Sequence, residues 1–277
     1  VCRYPPGTAP ALAEDPIVPH AFNGDVSIYY ETSGEGRPIV LIHANPFDRR
    51  LWLYQVPRYS SMFRTIAIDI RGYGRSSKPE TTFSLREMAD DVLAVCRQEN
   101  VERAIFAGVS VGSGMAMLIG LDNPEMVDAL ILVGGSSGGA ADPDRIINGY
   151  SAPDFIPFYA QHLISVVSPA FAASPLGRWL LDLFLADAKH LSGLSIAQNF
   201  RARNGCNMKD RLPLMSRPTL VVNGEHDQSL NQGRLTASLI PGGIHAMIPG
   251  AGHACNIEDP DAFDAAVLPF LGNVGLT

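Results

Sequence analysis

The chain has 277 residues, of which 46% are hydrophobic and 18% charged, and a formal net charge of −7. Those values fit one large globular domain with a small insertion and exclude a disordered or collagen-like chain. The acidic balance, with Arg49-Arg50 an isolated basic pair, excludes the electrostatic footprint of a nucleic-acid binder. No apolar run reaches the roughly 18 residues of a membrane span, so no membrane partner is expected.

Residues 1–20 are rich in Pro and Ala, lack periodicity and read as an irregular arm. Val26–Tyr30 is strand-like and is ended by Gly34 and Gly36. Short apolar runs then recur at Ile39–Ile42, Thr65–Ile68, Ala104–Ala107, Ala129–Val133, Leu220–Val222 and His245–Ile248. Most end in Gly, Asp, Asn or His, the pattern of strands buried on both faces. Helical patterns separate them at Phe83–Asn100, Ser110–Leu121, Asn231–Ile240 and Pro260–Leu271, and Ser84 with Glu87 forms a capping box. This alternation predicts an α/β fold, a mostly parallel, doubly wound sheet with helices on both faces.

The rhythm breaks between residues 138 and 210. That stretch carries apolar helical patterns such as Trp179–Leu185, is punctuated by Pro143, Pro153, Pro157, Pro169 and Pro175, and shows no strand. The expected organisation is therefore an arm over 1–20, a core over 21–137 and 211–277, and a helical cap over 138–210. Cys2, Cys96, Cys206 and Cys255 are scattered without a C-x-x-C pair, so no thiolate metal site is expected. With no signal peptide in view, the expected compartment is the cytoplasm.

The chemistry begins at Gly108-Val109-Ser110-Val111-Gly112, which fits G-x-S-x-G between a strand and a helix. A nucleophile on a sharp strand-to-helix turn needs small neighbours two residues either side, and the helix N-terminus favours nearby negative charge. A serine hydroxyl also needs a base. His253, in Pro249-Gly250-Ala251-Gly252-His253, follows the last strand at the carboxyl end of the sheet, where open α/β sheets bind ligands. His245 falls inside that strand, and His20, His162 and His190 lie on the arm or in the cap. The acid that orients the imidazole is Asp227, in Asn223-Gly224-Glu225-His226-Asp227, with Glu225 as its competitor. The oxyanion hole is expected from the backbone N–H groups of Val111 and of Asn45, in the loop His43-Ala44-Asn45-Pro46 after Ile39–Ile42.

These pieces, together with Asp69-Ile70-Arg71-Gly72-Tyr73-Gly74-Arg75-Ser76, resemble the α/β-hydrolase superfamily over nearly all of the chain after residue 20. Within it the chain is most similar to bacterial serine carboxylesterases and lactonases. The chain order Ser, Asp, His is the one this fold implies. One departure stands out: the family usually has His-Gly where this chain has His43-Ala44. The Asp69–Ser76 segment has a structural role in the family and is assigned no chemistry.

Dehalogenases and epoxide hydrolases of the superfamily place Asp where Ser110 stands, so an acyl-enzyme is the expected intermediate. The expected activity is cleavage of a small-molecule carboxylic ester or lactone, with no metal or organic cofactor required. The alternatives are a C–C bond hydrolase, a perhydrolase-type enzyme and, from a different class, a slow-turnover ligand receptor. Asn45, Phe155, Phe158 and Trp179 are the expected substrate-binding residues, on the premise that cap aromatics line an apolar pocket.

Overall fold

A computed structural model describes residues 19–138 and 142–277, which leaves Cys2 and nearly all of the expected arm outside the described residues. Eight strands form one sheet: β1 (His20–Asn23), β2 (Val26–Ser33), β3 (Pro38–Ile42), β4 (Arg64–Ile68), β5 (Ala104–Val109), β6 (Val127–Val133), β7 (Thr219–Gly224) and β8 (Ile244–Ile248), in the order β1-β2-β4-β3-β5-β6-β7-β8. Pairing is antiparallel for β1 with β2 and for β2 with β4, and parallel elsewhere. Strands β5, β6 and β7 are buried at every residue, as their unbroken apolar runs require.

Eleven α-helices accompany the sheet among the described residues. Two precede the elbow, α1 (Gln55–Tyr59) and α2 (Leu85–Gln98), and α3 (Val111–Asp122) follows it. The Ser84–Glu87 capping box closes the start of α2 reciprocally, which sets its first residue. Between β6 and β7 the described residues hold five helices and no strand: α4 (Pro143–Ser151), α5 (Ile156–Ser165), α6 (Pro169–Ala173), α7 (Pro175–Leu185) and α8 (Gly193–Asn204). Prolines 143, 169 and 175 open helices at positions where a missing N–H costs nothing. The chain ends with α9 (Leu230–Leu239), α10 (Cys255–Glu258) and α11 (Pro260–Asn273).

One sequence expectation is corrected. The arm was expected to reach residue 20, yet His20 opens β1, which pairs with β2 across a tight turn at Gly24-Asp25. Gly24 has φ +60°, a backbone that glycine adopts without strain. Strand β1 is four residues long, buries Ala21 and leaves Phe22 68% exposed, so it carries too little alternation to be read as a strand. Among the described residues Cys96, Cys206 and Cys255 are free thiols, and no helix is long and apolar enough to cross a membrane.

The loop after β4 is built around Asp69. Its carboxylate accepts from the backbone N–H of Arg49 (2.9 Å) and Arg75 (3.0 Å), and its carbonyl accepts from the Ser76 hydroxyl at 2.5 Å. Arg71 and Asp91, both buried, pair at 2.6 Å and fasten the same loop to α2. The chain from 69 to 76 is thus a brace beneath the β3 loop.

Packing around the elbow is closer still. A Cβ on Gly108 would collide with the Gly112 backbone, and one on Gly112 with the carbonyl of Ile42. Helix α3 therefore approaches the ends of β3 and β5 at backbone contact. Gly112→Ala should destabilise the fold by roughly 2 kcal/mol, because the obstacle is main chain that cannot rotate away. Urea unfolding measures this, and an unchanged midpoint would contradict the packing described.

Candidate active site

Ser110 stands between β5 and α3 with φ +55° and ψ −110°, a left-handed backbone for a residue with a side chain. Such a conformation costs about 1–3 kcal/mol and persists only where its surroundings enforce it. Here Ser110 N–H donates to the Val133 carbonyl at 2.8 Å, and its own carbonyl accepts from Gly114 N–H at 3.0 Å. Ser110 lines a cavity of about 570 Å³ together with Asn45, Val111 and His253.

His253 is carried by the loop between β8 and α10. Its Nδ1 lies 2.9 Å from Asp227 Oδ1. Gly134, at φ +57°, permits the approach: a Cβ there would stand 2.5 Å from the imidazole Cε1. The loop is anchored on both sides. Glu258 accepts from Gly252 N–H (2.8 Å) and from Ser168 N–H (2.9 Å), and Ala254 N–H donates to the Val166 carbonyl at 2.9 Å. The histidine loop is therefore stitched directly to the turn between α5 and α6.

Asp227 is fully buried at its side chain and fully bonded. Oδ1 accepts from the Ser229 N–H and hydroxyl, both at 2.8 Å, and Oδ2 from the Asn223 amide at 2.8 Å. Burial by itself would raise its pKa. The His253 charge and hydrogen bond, with the Ser229 and Asn223 donors, overcome that and hold the carboxyl well below its ordinary range. For His253 the balance runs the other way. Burial disfavours imidazolium, but the Asp227 charge and hydrogen bond, with Glu258 behind them, raise its pKa above the ordinary value. Glu225, the competing acid, instead accepts from Gly250 N–H at 2.9 Å. His245 lies 3.1 Å from Asn223 Oδ1 and so braces the residue that braces Asp227.

The loop after β3 is fixed by His43, which is fully buried. Its Nε2 accepts from Ile70 N–H at 2.9 Å, and its Nδ1 faces the Ala44 carbonyl at 3.0 Å. Burial lowers its pKa, in keeping with a neutral ring that accepts on one side and donates on the other. Ala44 has no left-handed backbone and is buried, so alanine in the place of the usual glycine is accommodated without strain. The Asn45 side chain, only 4% exposed, leaves Oδ1 buried without a partner at the cavity wall.

Of the expected cap aromatics, Phe158 lines the cavity. Phe155 does not: it packs inside the helical layer against Tyr150 and Gly193. Trp179 is 60% exposed, because α7 turns Leu180, Leu181 and Phe184 inward and leaves position 179 off that face. Residues not singled out from the sequence include Asn223 and Ser229, which bond Asp227, and His162, Arg145, Gln161 and Arg203 in the cavity wall. Asn223 opens the segment Asn223–Asp227 and was legible as an amide four residues before Asp227. His162 gave no sequence signal beyond being a histidine on an amphipathic helix.

A family model described as the α/β-hydrolase fold matches residues 37–260. The pimeloyl-[acyl-carrier protein] methyl ester esterase of Edwardsiella ictaluri is 30% identical over 261 residues, covering 88% of this chain and 97% of that one. A solved structure of Est816, described as an N-acyl homoserine lactone degrading enzyme, is 32% identical with a TM-score of 0.79, over 91% of this chain and 100% of that one. A hydrolase from Pseudomonas aeruginosa PA01 superposes with a TM-score of 0.85 at 27% identity, over 94% of this chain and 100% of that one. The sheet order, the elbow at Ser110 and these likenesses agree, and the chain belongs to the α/β-hydrolase fold family.

Proposed function

We propose that this hydrolase cleaves a carboxylic ester or lactone through an acyl-enzyme, with Ser110 as nucleophile, His253 as general base and Asp227 as the acid that orients it. The observation that carries the reading is the convergence of Ser110 and His253 on one cavity while the far nitrogen of His253 is held by a buried carboxylate. The relatives described as a methyl ester esterase and as a lactone-degrading enzyme favour acyl substrates of this kind.

In this reading Ser110 Oγ attacks the carbonyl carbon and passes its proton to His253 Nε2. The carbonyl oxygen becomes an oxyanion facing the backbone N–H groups of Val111, at the start of α3, and of Asn45, in the loop after β3, where each donor contributes about 3 kcal/mol. Collapse breaks the C–O bond, and the leaving alkoxide takes the proton from His253. A lactone's alkoxide stays tethered to the acyl group. Water then gives its proton to His253, its hydroxide attacks the acyl carbon, and Ser110 departs with that proton as the acid is released. Asp227 stays ionised and stabilises imidazolium at each stage. The helical layer of α4–α8 acts as the cap, with Asn45 and Phe158 in contact with substrate.

Hydrolysis of p-nitrophenyl esters and simple lactones tests the reading beside Ser110→Ala. Wild type should turn over members of the panel, and the folded variant should not. Retained activity in Ser110→Ala would overturn the assignment, and a wild type inert to every ester and lactone would favour C–C bond hydrolysis or ligand reception. Asp227→Asn should lower kcat by about four powers of ten, since the imidazole loses the partner that sets its tautomer.

The pH dependence follows from the sign of the His253 shift. A base acts only when neutral, and the carboxylate raises the pH at which His253 becomes neutral. The acidic limb of kcat/KM should therefore lie above the value of about 6.5 of an unperturbed imidazole, and Asp227→Asn should move it down. A limb unmoved by that substitution would mean that His253 is not the titrating base.

A further inference from the structure

His162, on α5, lines the same cavity as Ser110 and His253 and has no part in the steps above. Its Nδ1 lies 2.6 Å from the hydroxyl of Tyr150, which is fully buried on α4. The imidazole is held within an aromatic cluster, 5.7 Å from the Tyr150 ring, 6.2 Å from Phe158 and 5.6 Å from Phe200 between centroids. Its orientation is thus set by three aromatic neighbours and by a hydrogen bond at one edge.

That hydrogen bond also determines where the imidazole proton sits. Among the described residues His162 Nδ1 is the sole partner of the Tyr150 hydroxyl. A buried phenol proton without an acceptor carries a full desolvation penalty, so the hydroxyl donates and Nδ1 accepts. Burial pushes the Tyr150 phenol well above its ordinary pKa, which keeps that proton in place. A neutral ring that accepts at Nδ1 bears its hydrogen on Nε2, at the edge turned away from Tyr150. Burial first, and then the charges of His253 and Arg145, push the His162 pKa down to about 3, so the ring is neutral throughout the working range.

We propose that His162 presents Nε2–H to a second carbonyl oxygen of the substrate, in addition to the scissile one, and so selects keto-bearing esters or lactones over their plain alkyl counterparts. Tyr150 is a positioning residue that holds the tautomer. The inference rests on the hydrolase reading above. A neutral donor suits a carbonyl oxygen because it supplies one directed hydrogen bond without a charge to be compensated. A site built around such a donor rejects an analogue lacking the acceptor, since the donor is then left unpaired beside apolar rings.

Matched substrates test this. One series compares p-nitrophenyl pentanoate with its 3-oxo and 4-oxo forms, and a second compares propyl butanoate with acetonyl butanoate. Wild type should favour a keto member of at least one pair. His162→Phe, which keeps the aromatic packing, should cut that preference roughly five- to tenfold, by slowing the keto ester, by relieving the penalty on the plain ester, or by both. His162→Gln, which restores a donor, should recover part of it. No keto preference in any pair, or a preference untouched by His162→Phe, would overturn the proposal. Failure of the hydrolase reading looks different, with no turnover of any ester by wild type. Imidazole 15N NMR supplies a readout independent of turnover. His162 should show the Nε2–H tautomer between about pH 5 and 8, and Tyr150→Phe should admit the other tautomer. An Nδ1–H or charged His162 in the wild type would overturn the proposal whatever the esters do.

Discussion

A serine held at φ +55° is unstable by itself, and the architecture around residue 110 is arranged to keep it there. The backbone of α3 must lie against the ends of β3 and β5, which is possible only because residues 108 and 112 have no side chains. The consequence extends past the serine. The carbonyls of Ile42 and His43 are the groups a side chain at 112 would strike, so the contact that seats the helix also brings the loop of Asn45 beside Ser110. One steric constraint thus sets the position of Ser110 and of the loop facing it. His43 and the Asp69 brace then make the loop rigid from below.

Electrostatics builds outward from that frame. Asp227 is buried, yet it is stabilised as an anion by Ser229, Asn223 and His253. Its charge raises the affinity of His253 for a proton, although burial opposes it. His162 lines the same cavity and has a phenol where His253 has a carboxylate, so burial prevails and the ring stays neutral. Two imidazoles in one cavity are therefore shifted in opposite directions: Asp227 and Glu258 outweigh burial at His253, whereas burial and the nearby positive charges act together at His162. The turn between α5 and α6 is bound to the histidine loop through Glu258 and Val166. A movement of the helical layer at that point would be felt at His253.

Much of this was legible in the chain itself, and for local reasons. Strands β3 to β7 announce themselves because burial on both faces demands unbroken apolar runs, and α2 because Ser84 and Glu87 satisfy its first N–H groups. The elbow was legible because two glycines flank a serine between a strand and a helix. Asp227 and His253 stood out because each sits just past a strand at the carboxyl end of the sheet. Strand β1 was not legible, since four residues with one buried side chain lack a period.

What the sequence by itself determined is the fold class, the chain order of Ser110, Asp227 and His253, and the kind of chemistry those side chains can support. These depend on periodicity, turn stereochemistry and residue type within a few positions. Only the tertiary structure decided which helical residues face the cavity. The rotation of α7 is set by Leu180, Leu181 and Phe184 seeking the interior, and that rotation turns Trp179 out to solvent. The packing of Tyr150 and Phe200 against Phe158 and His162 of α5 likewise brings His162, unremarkable in sequence, to the cavity of Ser110. An amphipathic pattern specifies that a helix has a buried face, but what that face meets is settled by the other helices that compete for the same space.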